Sequence, residues 1–151
     1  MVAVNEAGVK VREASLDEVE PVLRCYEWLF APPGDRPHSW DPEGARMAVI
    51  ATIEHRDSVL LVADDDELVG LCSAYLDPHS VRFGPRCWVE DLAVHPDRRG
   101  EGIGKALLDA AKRWASGRGS THLELDTSER RTDAQRFYER EDPSWRSISY
   151  S

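Results

Sequence analysis

The stretch VHPDRRGEGIGKALL, Val94 to Leu108, packs three glycines, two arginines and a lysine into one short window. Before it runs CWVEDLAV, Cys87 to Val94, an apolar segment of strand length. From Gly102 onward the apolar spacing turns helical, with Ile103, Leu107, Ala110, Ala111 and Trp114 aligned until GRG at Gly117 to Gly119. A strand, a glycine-rich turn and a helix start place unpaired N–H groups at the positive end of a helix dipole, which is an anion site. Glycine permits close approach of a ligand and a positive φ. Arg98, Arg99 and Lys105 add the charge-assisted contacts that a diphosphate uses. The plainer alternative is a helix N-terminus beside a basic surface cluster.

The spacing excludes two phosphate loops. A Walker A loop needs GxxxxGK followed by Ser or Thr, whereas Arg99 stands at the first glycine and Ala106 at the hydroxyl position. A dinucleotide fingerprint needs GxGxxG in an early βαβ unit, and GEGIG is one residue short and late in the chain.

Working outward, Val9 to Arg12 alternates as a strand, and Ser15 with Glu18 has capping-box spacing for a helix carrying Val19, Val22, Leu23, Tyr26 and Phe30. Ala31 to Pro42 is rich in proline and glycine and reads as a loop; Asp41 and Pro42 read as cap and first position of a second helix. Ser58 to Ala63 and Leu68 to Leu76, separated by DDDE, read as a hairpin. Thr121 to Thr127 alternates as a strand, Thr132 and Gln135 suggest a capping box for a helix through Arg140, and Trp145 to Tyr150 reads as a last strand. The expected order is βααβββαβαβ, a mixed α/β fold in one domain over residues 1–151.

Composition agrees with a folded domain: 151 residues, 41% hydrophobic, 31% charged and five tryptophans. No apolar run approaches the roughly 20 residues of a membrane span. MVAVNEAGVK lacks the marks of an export signal, so a cytoplasmic location is expected. Cys25, Cys72 and Cys87 form no CxxC pair and read as small core residues, and the five histidines show no ligand spacing, so no metal is expected. A net charge of −9 argues against nucleic acid and suits a cationic partner.

The run EDLAVHPDRRGEGIGKALLD resembles the acetyl-CoA-binding motif of the GCN5-related N-acetyltransferases (GNAT), with Arg99, Gly102 and Gly104 at its signature positions. LELDTSERRTDAQRFYER resembles that family's next motif, a strand and then a helix containing Phe-Tyr-Glu. The resemblance covers essentially the whole chain. It implies a V-shaped opening between the fourth and fifth strands, with the main chain of Leu92, Ala93 and Val94 holding the pantetheine arm of acetyl-CoA. The amides of Arg99, Gly100, Glu101, Gly102, Ile103, Gly104 and Lys105 would then take the pyrophosphate. Two positions depart from the pattern: Arg131 replaces a common asparagine, and Glu141, Asp142 and Pro143 replace the usual Leu-Gly-Phe region. The resemblance therefore implies a last strand pair shortened or completed by a second subunit in a homodimer.

The chemistry implied is direct acetyl transfer in a ternary complex to a primary amine of a small molecule or protein, which requires a base because such amines have a pKa near 10.4. Glu90 and Asp91 are adjacent carboxylates in an apolar strand, and alternation lets only one face a given cleft. Glu90 is the favoured base, Asp91 its substitute, and Glu124 and Asp126 weaker choices. Tyr138 matches the family's tyrosine that protonates the leaving thiolate. Arg36, His38 and Trp40, with Trp28 and Phe30, offer either an acceptor pocket or a mere loop anchor. A non-catalytic acyl-CoA sensor and a nucleotide-binding protein are the rival readings.

Overall fold

In the computed structural model, which describes residues 2–150, the sequence SVLLVA forms a strand covered on both faces. Leu60 and Val62 join one hydrophobic cluster, and Val59, Leu61 and Ala63 join another. Two-sided burial is why this stretch is continuously apolar rather than alternating. The strand is β3 (Ser58–Asp65), preceded by β1 (Ala3–Val4) and β2 (Lys10–Glu13). It is followed by β4 (Glu67–Asp77), β5 (Arg86–Val94) and β6 (His122–Glu124). The six strands lie in sequence order, and every neighbouring pair is antiparallel except β5 and β6, which are parallel. One cluster packs under α1 (Val19–Cys25) and α3 (Pro42–Glu54), and the other under α4 (Ile103–Gly117).

Local signals explain most boundaries. Asp41 accepts a hydrogen bond from the Gly44 N–H at 2.9 Å, with Pro42 at the first helical position of α3. Glu18 reaches back to the Ser15 N–H at 3.0 Å, while both its oxygens take the Arg12 guanidinium at 2.8 Å. That box closes a single 3₁₀ turn, and α1 begins only at Val19. Pro21 therefore falls in the first turn, where its missing N–H removes no bond. The expected helix to Phe30 divides at Tyr26 into α1 and α2 (Glu27–Phe30).

Gly70 of β4 lies directly beneath α4. A Cβ there would come within 2.9 Å of Leu107 Cδ1 and 3.1 Å of Ile103 Cγ2. Gly70→Ala is expected to lower stability in chemical denaturation by about 1–3 kcal/mol through overpacking.

Three expectations fail. The strand foreseen over Thr121 to Thr127 is hydrogen-bonded only at His122–Glu124, because its partners on β5 end at Trp88 and the chains then diverge. No strand forms at Trp145 to Tyr150: Trp145 instead stacks on His122 at 4.9 Å and on Phe83 at 5.6 Å. Ile148 and Tyr150 stay exposed, so the alternating pattern has no covered face to favour a strand. The observed order thus ends in α5 (Thr132–Arg140) rather than a strand. Thr132 is also the first residue of α5 and not its cap, and Gln135 donates to the Ser128 and Glu129 carbonyls at 3.0 Å.

Candidate functional site

The parting of β5 from β6 opens a cavity of about 840 Å³. Leu92, Ala93 and Val94 form its strand wall, Phe137 and Tyr138 of α5 face them, and Trp28 and Leu29 of α2 close a side. Arg99, Gly100, Gly102, Ile103, Gly104 and Lys105 line the same cavity. Nine of the ten residues expected around the cofactor are therefore brought together; the tenth, Glu101, is exposed and pairs with Arg98 at 2.9 Å.

Backbone conformation explains this loop. Gly102 caps α4 with φ 81°, and a side chain there meets open space, so the left-handed conformation and not crowding demands glycine. The first helical bond runs from Ala106 N–H to Gly102 O at 3.0 Å. The N–H groups of Ile103, Gly104 and Lys105 are left without intrahelical acceptors, at the positive end of a 15-residue helix. A Cβ on Gly104 would make ordinary contacts at 3.7 Å with Phe137 and Val94. Calorimetry with CoA should therefore show Gly104→Ala close to wild type. For Gly102→Ala, a left-handed strain of about 1–2 kcal/mol corresponds to a 5- to 30-fold weaker Kd.

The cations divide by task. Arg98 is engaged by Asp65 and Glu101, each at 2.9 Å, and Lys105 by Glu141 at 3.3 Å. Arg99 lines the cavity and donates from Nε to Val94 O at 3.4 Å. Three arginines not singled out from the sequence, Arg130, Arg136 and Arg140, also line the cavity, as does Arg131, noted there only as a departure from the motif; the run of them through RRTDAQRFYER was the available signal. Arg131 donates to the Leu29 carbonyl at 2.8 Å and ties α5 to α2.

Tyr138 packs beside Phe137, ring centroids 5.2 Å apart, and lines the cavity with a hydroxyl that makes no hydrogen bond among the described residues. Burial pushes its pKa up to about 12, so it stays protonated throughout the neutral range.

On the α1/α3 face lies a second cavity of about 350 Å³, lined by both Glu90 and Asp91. This corrects the expectation that only one of them faces a given cleft. Ser73 pairs with Asp91 and Ala74 with Val89, so Glu90 is the extra residue of a β-bulge, which interrupts the alternation and re-aims its side chain. Asp91 accepts from Tyr26 Oη at 2.7 Å and Ser73 Oγ at 3.2 Å. Among the described residues Glu90 accepts only from Trp88 Nε1, at 3.1 Å. Partial burial, and then the negative charge of Asp91, hold the Glu90 carboxyl above the ordinary glutamate range. Glu124 is engaged by Arg86 at 3.1 Å and His122 at 3.0 Å, and Asp126 is exposed.

The aromatic residues divide between loop packing and cavity wall. Trp40 anchors the loop against Phe30, centroids 4.7 Å apart, and also lines the second cavity with Tyr26. Arg36 stacks 5.0 Å over Phe30 and pairs with Glu27, His38 is exposed, and Trp28 turns to the first cavity. Cys25, Cys72 and Cys87 are buried outside both cavities, with the thiols of Cys25 and Cys87 pushed up to about 11 by burial. Among the described residues no His, Cys, Asp and Glu cluster is arranged to hold a metal, and no helix is long and apolar enough to cross a membrane.

The family model of the acetyltransferase (GNAT) family matches residues 22–141, from α1 to the end of α5. The chain belongs to the GNAT family. Its members are acetyl-CoA-dependent acyltransferases. Uncharacterized N-acetyltransferase YhfO of Bacillus subtilis (strain 168) is 34% identical over 100 residues, 66% of this chain and 67% of that protein. Aminoglycoside N(6')-acetyltransferase type 1 of Klebsiella aerogenes is 35% identical over 71 residues, 46% of this chain and 47% of that enzyme. Among solved structures, AAC(6')-Iy in complex with the bisubstrate analog CoA-S-monomethyl-acetylneamine superposes with a TM-score of 0.79 at 19% identity, covering 95% of this chain and 97% of that one.

Proposed function

We propose that this acetyltransferase moves the acetyl group of acetyl-CoA directly to a primary amine, with both substrates bound at once. The observation that carries the reading is the succession of two cavities along β5. Leu92, Ala93 and Val94 border the large cavity with the phosphate-binding turn, and Glu90 and Asp91 border the small acidic one. A thioester lying along Leu92 to Val94 reaches an amine at Glu90 through the gap beyond the last β5–β6 pair.

Each step has a group of suitable character. Glu90, with its raised pKa, takes the ammonium proton directly or through water. A main-chain N–H near Val94 meets the oxyanion, a contact worth about 3 kcal/mol. Tyr138 protonates the departing thiolate. The buried, protonated cysteines support transfer without an acyl-enzyme. The test is thiol release from acetyl-CoA across an amine panel: amine-dependent release supports the reading, and calorimetric acetyl-CoA binding with no release by any amine refutes it.

A further inference from the structure

We infer that the acceptor is a small primary monoamine with a compact apolar or aromatic body, seated in the 350 Å³ cavity with its ammonium at Glu90, and that polycationic amines are rejected. This rests on the transferase reading above.

The walls carry the argument. Leu23, Ala45, Ala48, Val49, Leu60 and Ala74 bring apolar surface from four elements. The Ser and Thr hydroxyls of the wall are already engaged: Thr52 donates to Ala48 O at 2.8 Å, Ser58 to Thr52 O at 2.9 Å and Ser73 to Asp91 at 3.2 Å. Negative charge is confined to Glu90 and Asp91 at one end, and Asp91 already accepts from Tyr26 and Ser73. Glu90 Oε1 takes no hydrogen bond among the described residues, nor does Asp91 Oδ1, since Tyr26 and Ser73 both donate to Asp91 Oδ2; these two oxygens are the open acceptors for an ammonium at this end.

A second or third ammonium held away from the Glu90 and Asp91 end would lie against aliphatic wall with nothing to pair with, which is costly. Beside Trp40 a further cation meets like charge, because the Arg36 guanidinium already stands over Phe30 and Trp40, at 5.0 and 5.9 Å. Tyr26, Trp40 and Tyr75 present ring surface to an apolar body instead. The volume lies at the low end for small-molecule sites.

The experiment compares kcat/KM at saturating acetyl-CoA for 2-phenylethylamine and hexylamine with that for spermidine and kanamycin. The monoamines are expected to lead by about 100-fold or more, as an unpaired buried ammonium requires. Equal or better turnover of spermidine or kanamycin overturns the acceptor assignment while leaving the transferase reading standing. Thiol release by none of the four, with acetyl-CoA still binding, overturns the assignment, and silence across the wider amine panel as well removes the transferase reading beneath it. Ala48→Phe places a ring in the cavity from an exposed position of α3. It should raise the KM for 2-phenylethylamine at least about 10-fold, the size of a filled apolar subsite, with the acetyl-CoA Kd unchanged by calorimetry. An unchanged amine KM rules this seat out.

Discussion

Glu90→Gln is expected to lower kcat/KM for the amine by about 10²- to 10⁴-fold, the usual contribution of a positioned base. The carboxyl sits at the bulge of β5, lines the cavity we assign to the amine, and retains an oxygen free of hydrogen bonds among the described residues. The pH dependence separates this role from a structural one. In the wild type, activity on the acidic side should rise with an apparent pKa above the ordinary glutamate range, since burial and the Asp91 charge raise it. The glutamine variant should lose that limb. Stability moves the other way: a group whose folded pKa is raised gives up stability as pH climbs from its unfolded value through the folded one. At neutral pH, denaturant titration should therefore find Glu90→Gln at least as stable as wild type. Full activity of the variant across the pH range would remove Glu90 from the mechanism.

Tyr138→Phe is expected to cost about 10²-fold in kcat, the low end for a general acid, because a thiol pKa near 8.5 makes the thiolate a tolerable leaving group unaided. The acetyl-CoA Kd should hardly change, since the ring that packs beside Phe137 remains. Burial raises the Tyr138 pKa to about 12, so the wild type should show no loss of this proton donor through pH 10. An acetyl-thioester analogue with a more acidic thiol should narrow the gap between variant and wild type. A gap that stays constant across leaving groups would assign Tyr138 to packing alone.

Along one contiguous segment, sequence and structure agree closely. The strand from Cys87, the turn at Gly100 and Gly102 and the helix from Ile103 are set by neighbours in the chain: apolar spacing, a glycine at φ 81° and a helix dipole. The expected β3–β4 hairpin is equally local, with Asp66 at φ 65° in its acidic turn. Such features are legible because the groups that cause them are only a few residues apart.

What the sequence alone left open depended on distant partners. Strict alternation gives Glu90 and Asp91 opposite faces, and only the pairing of β5 with β4 reveals the bulge that brings both to one cavity. Arg131 looks like a departure from a motif until folding carries it to the Leu29 carbonyl, 102 residues away. The pattern at Trp145 to Tyr150 specifies alternation but not a covering layer, and stacking on His122 and Phe83 prevails over strand pairing. The glycine-rich turn and helix start were thus written in consecutive residues, whereas the second cavity, built from α1, α3, β3, β4 and β5, exists only once long-range packing has closed it.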